Sequence, residues 1–221
     1  MKACIFDLDG TLTNTLESMT YSVNLTLEEM GLSKITKDQC RLFVGNGARV
    51  LMEKSLKVAG DTDASRIEEG MEIYGRIFDQ NCTYHVTPYE GIPEMLKALK
   101  DKGIHLAVLS NKPDRQTVKV VKAIFGEELF DKVQGQTAEI PRKPSPLGPL
   151  AIAKEFNAKP SECLYMGDTN TDMDTGNAAG MFTIGVTWGF RPRKELEEHH
   201  AAKIVDKPEE ILAYAKAHKN V

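Results

Sequence analysis

Two aspartates, Asp7 and Asp9, flank a single leucine in Asp7-Leu8-Asp9-Gly10-Thr11, directly after the apolar run Ala3-Cys4-Ile5-Phe6. The apolar run suits one short buried strand, and Gly10 is a natural point for the chain to leave it. Side chains two apart on a strand point the same way, so both carboxylates are expected at the carboxyl end of this strand. Carboxylates so close repel each other unless a proton, a cation or a metal lies between them. The chemistry such a pair suits is metal-assisted acid–base or nucleophilic work.

The elements that must hold this pair follow from periodicity. Leu16, Met19, Val23, Leu27 and Met30 recur at helical spacing after Thr15, a candidate cap, and Gly31 ends that helix. Further helices are expected from Thr36 to about Val44, from the break Gly45-Asn46-Gly47 to about Ala59, and from about Ala64 to Asp79. No strand is expected in 15–84, which reads as a small helical unit. Beyond Pro88-Tyr89-Glu90-Gly91-Ile92-Pro93 the pattern changes. Strands are expected near 104–109, 132–134, 163–166, 182–187 and 203–205. Helices are expected near 93–102, 114–125, 146–157, 170–179 and 208–218. Alternating strands and helices imply βαβ units and a mostly parallel sheet. The expected fold is therefore α/β, with a Rossmann-like core formed by 1–14 and 85–221 and a helical unit, 15–84, inserted after the first strand.

In open α/β sheets ligands bind outside the carboxyl ends of strands. Three such ends carry polar residues: Asp7 and Asp9; Ser110-Asn111-Lys112; and Gly167-Asp168-Thr169-Asn170-Thr171-Asp172. A loop before the helix at 146 adds Arg142-Lys143-Pro144.

Composition narrows the field. The chain has 221 residues, a net charge of −4 and 41% hydrophobic residues. That is enough for a sizeable core, and it lacks the basic face that nucleic-acid binding requires. No apolar run reaches the roughly 18 residues of a membrane span, and no signal peptide is evident. Cys4, Cys40, Cys82 and Cys163 form no C-x-x-C pair and read as reduced and buried. A cytoplasmic protein is expected, with its oligomeric state open.

Four ordered motifs, D-L-D-G-T at 7–11, L-S-N-K at 109–112, R-K-P-S-P at 142–146 and G-D-T-N-T-D at 167–172, are similar to those of the haloacid dehalogenase superfamily of aspartyl-nucleophile phosphohydrolases. The resemblance covers nearly the full length, and the helical insertion matches that superfamily's small cap. Within the superfamily the chain resembles phosphoglycolate phosphatases, on Ala179-Gly180-Met181 through Gly185-Val186-Thr187-Trp188-Gly189-Phe190-Arg191 and on Val44-Gly45-Asn46-Gly47 in the cap. The resemblance implies Asp7 as nucleophile and Asp9 as the group that protonates the leaving alkoxide and then activates water. It implies Mg²⁺ held by the Asp7 and Asp168 side chains and the Asp9 carbonyl, with Asp172 orienting that shell. Ser110, Asn111 and Lys143 would hold the phosphoryl oxygens. By the same resemblance, an acid at position 9, where the family's P-type ATPases place Thr and its phosphonate-cleaving members Ala, favours ester hydrolysis or mutase chemistry.

Gly45, Asn46 and Gly47 read equally as a helix–helix turn or as a substrate-specificity loop, with Arg49 as the candidate partner of a substrate carboxylate. Lys112 reads as solvated, His199-His200 as exposed and His105 as packed in its strand. The leading expectation is a Mg²⁺-dependent phosphatase of a small phosphorylated metabolite, phosphoglycolate first. The alternatives are a β-phosphoglucomutase-like phosphosugar mutase, an inorganic pyrophosphatase, and a non-enzymatic receiver-type phospho-acceptor switch.

Overall fold

The computed structural model describes residues 1–215. Six strands form one parallel sheet: β1 (Ala3–Phe6), β4 (His105–Pro113), β5 (Lys132–Gln136), β6 (Cys163–Gly167), β7 (Phe182–Val186) and β8 (Lys203–Val205), in the order β5-β4-β1-β6-β7-β8. The chain starts in the middle, builds outward through β4 and β5, then crosses to the other side of β1. The switch point of the sheet therefore lies between β1 and β6, where ligands of such sheets bind. Along β1 the side chains alternate between two apolar layers. Cys4 and Phe6 enter one, Ala3 and Ile5 the other, as the two-residue repeat of a strand dictates.

Helices α5 (Ile92–Lys100), α6 (Asp114–Phe125), α7 (Leu147–Glu155), α8 (Asn170–Ala178), α9 (Arg193–Glu198) and α10 (Ile211–Tyr214) follow the strands. The α9 helix lies outside the sequence expectation, and the expected 208–218 helix runs partly beyond the described residues. Four helices, α1 (Leu16–Glu29), α2 (Lys37–Phe43), α3 (Ala48–Ala59) and α4 (Ile67–Asn81), lie between two short strands, β2 (Thr13–Asn14) and β3 (Thr87–Pro88), which pair antiparallel. The chain thus leaves and re-enters the sheet domain at one place.

Helix ends differ from expectation for local reasons. Thr15 precedes α1 but its hydroxyl is buried without a partner and caps nothing. Thr36 forms a full capping box with Gln39. The fourth helix starts at Ile67, not Ala64, because Ala64 takes a left-handed φ of 54° and the Asp61 carboxylate holds the Ser65 and Arg66 amides. All five residues predicted for the buried stripe of α1 are buried. His105 departs from its expected packed place: it is exposed at the start of β4 and stacks on Phe156.

Candidate active site

Asp7 follows β1 and its amide donates to Met166 O of β6 at 2.9 Å. The first aspartate thereby stands at the switch point, beside the turn after β6 that carries Asp168 and Asp172. Asp168 is fully buried. Its Oδ2 accepts from the Phe190 amide at 2.7 Å and its Oδ1 from Thr11 Oγ1 at 3.2 Å. Backbone closes in on this carboxylate: a Cβ at Gly10, whose φ is +92°, would lie 2.3 Å from Asp168 Oδ2, and one at Gly189 2.3 Å from Asp168 Cβ. Both positions tolerate only glycine. Asp172 closes a capping box at the start of α8, its Oδ2 accepting from the Thr169 amide and hydroxyl at 3.2 and 2.7 Å.

Lys143 is brought in by the loop before α7. Its Nζ donates to Asp7 Oδ1 and Asp172 Oδ1, both at 2.7 Å, and its side chain is 4% exposed. The loop is clamped from the other side by Asn111, whose Oδ1 accepts from the Lys143 amide at 2.8 Å and whose Nδ2 donates to Lys143 O at 3.2 Å.

Ser110, Asn111 and Lys112 all face the same chamber as Asp7 and Asp9. A regular strand would not allow this, because successive side chains alternate. The pairing of β4 with β5 is irregular here: Leu109 pairs with Gln134 and Pro113 with Gln136, so Ser110, Asn111 and Lys112 bulge against Gly135 alone. Such a bulge re-aims side chains. It carries Lys112 inward, buried and ion-paired with Asp9, where the sequence suggested a solvated lysine. The motif was visible; only the bulge shows which way its lysine turns.

The helical segment meets this edge through the loop between α2 and α3. Asn111 Nδ2 donates to Gly45 O at 3.2 Å, Arg142 Nη1 to Asn46 O at 3.2 Å, and Thr171 Oγ1 to Asn46 Oδ1 at 3.2 Å. Arg191 reaches the end of α2, its Nη1 2.6 Å from Arg41 O and its Nη2 2.8 Å from Val44 O. A cation at the carbonyl end of a helix is well placed. Gly45 and Gly47 line the chamber. Arg49 does not join them. It points outward, half exposed, to Glu68 at 2.6 Å and Glu53 at 3.2 Å, because its position on α3 lies off the face that meets the core. The structure corrects its expected part in the chamber. His199 pairs with Asp174 at 2.8 Å away from these residues.

The electrostatics ask for a cation. Burial, with the Asp172 and Asp9 charges, pushes Asp7 up to about 7 against the pull of Lys143. Burial likewise drives Asp168 far above the carboxylate range, helped by Asp172 and Asp7. Burial pulls Lys143 down, yet Asp172 and Asp7 outweigh it and hold the ammonium well above its ordinary value. Asp7, Asp168 and Asp172 can each present an oxygen within 4.8 Å of the others. One ammonium does not balance three buried carboxylates, and an all-oxygen donor set suits a hard divalent ion. The residues fit a divalent metal: Asp7, Asp168 and Asp172 each offer it a carboxylate oxygen.

Fold and site together define the class: an α/β enzyme with a carboxylate-rich centre at the switch point and a helical segment across its mouth. The haloacid dehalogenase-like hydrolase family model matches residues 4–186. The phosphoglycolate phosphatase of Aquifex aeolicus is 34% identical over 86% of this chain and 86% of its own. That of Haemophilus influenzae Rd is 31% identical over 94% and 95%. A solved structure from Haemophilus somnus, described as a predicted phosphoglycolate phosphatase, superposes with a TM-score of 0.91 at 26% identity, covering 98% of both chains. The chain belongs to the haloacid dehalogenase-like hydrolases. It is an enzyme, a phosphatase acting on a small phosphorylated substrate, and the receiver-type reading is set aside. The four cysteines are buried and unpaired. Among the described residues no helix is long and apolar enough to cross a membrane.

Proposed function

We propose that the protein is a Mg²⁺-dependent phosphatase of phosphoglycolate or a close analogue, working through an aspartyl phosphate on Asp7, with residues 15–84 as a cap. The single observation that carries the reading is the chamber in which Asp7, Asp9, Ser110, Asn111 and Lys143 converge. The likeness to the phosphoglycolate phosphatases of Aquifex aeolicus and Haemophilus influenzae favours the substrate, and the unpaired thiols suit a cytoplasmic setting.

In the first step an Asp7 carboxylate oxygen bonds to phosphorus while the ester P–O bond breaks. Asp9 gives its proton to the leaving alkoxide. In the second step Asp9 takes a proton from water, whose oxygen attacks phosphorus and releases Asp7 and inorganic phosphate. Lys143 pulls Asp7 toward its ionised form and fixes its orientation, and Ser110 and the Asn111 backbone N–H meet the phosphoryl oxygens. Bound Mg²⁺ would neutralise the charge that opposes a carboxylate approaching a phosphate dianion. The cap would keep bulk water from the phosphoryl group.

The test is a phosphate-release screen over phosphoglycolate, sugar phosphates, nucleotides and pyrophosphate with Mg²⁺. Phosphoglycolate is expected to lead, EDTA to stop release and Mg²⁺ to restore it. An isomerised sugar phosphate without free phosphate would favour the mutase, and pyrophosphate alone the pyrophosphatase. Asp7→Asn is expected to abolish turnover with the fold intact; substantial residual release would remove Asp7 from its role.

A further inference from the structure

The chemistry above leaves one buried charge unused. The Lys112 side chain is 2% exposed. Its Nζ sits 5.3 Å from the centroid of the Phe78 ring and is hydrogen-bonded to Asp9 Oδ1. An ammonium carries three donors. Among the described residues Asp9 is the one hydrogen-bond acceptor Nζ meets. A buried charge is costly unless it is paired and hydrogen-bonded, so this ammonium has donors to spare for a ligand.

The surroundings say which ligand. Lys112 and Lys143 are the two cations lining the chamber, and Lys143 is committed to Asp7 and Asp172. The remaining cap-side wall, with Met19, Val44, Leu51, Tyr74 and Phe78, is largely apolar. One compact point charge in an apolar wall matches a monoanion better than a second phosphate, which would need more donors. Lys112 also touches Asp9, the residue beside the leaving oxygen. An anion that reaches Lys112 therefore lies within a few bonds of that oxygen.

Resting on the phosphatase reading above, we propose that Lys112 receives a carboxylate on the leaving-alcohol side of the substrate. It selects phosphorylated short hydroxy acids over neutral phosphoesters. The cap contributes shape and an apolar wall, while the charge that reads the substrate comes from the core, from the bulge in β4. This gives Lys112 the part that spacing in the cap suggested for Arg49.

The experiment compares kcat/KM for phosphoglycolate and for ethyl phosphate, which replaces the carboxylate by a methyl group, in the wild-type protein with Mg²⁺, in Lys112→Met and in Lys112→Arg. The wild type is expected to prefer phosphoglycolate by about 100-fold, and Lys112→Met to reduce that preference to about threefold or less, mostly through KM. Lys112→Arg is expected to retain part of it. Glycolate, and not ethanol, is expected to inhibit wild-type hydrolysis of ethyl phosphate competitively, a readout that needs no variant to fold. If Lys112 merely orients Asp9, Lys112→Met slows both esters equally and keeps the preference, which overturns the proposal. Equal wild-type efficiency on the two esters also overturns it while leaving the phosphatase reading standing. Hydrolysis of neither ester overturns both.

Discussion

The carboxylates of Asp7 and Asp172 meet on a single ammonium: Lys143 Nζ is 2.7 Å from each. These are a strand-end residue and a helix first-turn residue, and the lysine between them comes from a third element. Lys143→Met leaves the buried carboxylates without their partner. Breaking a buried pair in this way costs about 3–5 kcal/mol. Denaturant unfolding of the metal-free protein is expected to show that loss, and phosphate release is expected to fall by about 10³-fold.

Stability should depend on pH and metal together. In the folded metal-free protein Asp7 keeps its proton up to about 7, whereas an unfolded aspartate releases it near pH ~4. Between these values the folded state binds the extra proton. The contribution is thus fully present below the unfolded value and lost as pH rises through about 7. Asp168, raised in the same direction, adds to the loss. A divalent ion that binds the ionised carboxylates reverses it. The expected outcome is a Tm gain on adding Mg²⁺ that is several degrees larger at pH 8 than at pH 5; an equal gain at both would disconnect the metal from these carboxylates.

Arg191 ties the sheet domain to the helical segment. Its guanidinium meets the carbonyls of Arg41 and Val44, and its side chain is 12% exposed. Hydrogen bonds to a charged group are worth about 1.5–3 kcal/mol each. Arg191→Ala is expected to raise amide exchange across residues 41–47 and to raise KM by about tenfold with a smaller change in kcat. Exchange like that of the wild type would show that the loop is held without it.

Arg49→Ala gives the opposite contrast. Exposed ion pairs contribute little, and Arg49 faces Glu53 and Glu68 on the surface. KM for phosphoglycolate is expected to stay within about twofold of the wild type, as steady-state kinetics will check. A large rise would return Arg49 to the substrate.

Much of this protein is written in local pattern. The run Ala3–Phe6 is buried on both faces because it is apolar throughout. The helical stripe of α1 is buried at every position that periodicity names. Asp7, Asp168 and Asp172 fall where apolar runs end, and the parallel sheet gathers those ends at one edge. Helix starts were less legible where a side chain competes for the backbone, as Asp61 does before α4.

The sequence alone carried the strands of the sheet, most of the helices and the α/β class, and it set aspartates at the ends of apolar runs, because these depend on short-range periodicity and on chain order; α9, β2 and β3 lay outside that reading. Only the tertiary structure decided direction. The bulge between Leu109 and Pro113 turns Lys112 inward to Asp9. The seating of α3 leaves Arg49 outside, and the loop at Gly45–Gly47 meets Asn111 and Arg142. Each is set by how one element registers against another distant in sequence, and local spacing carries no information about that register.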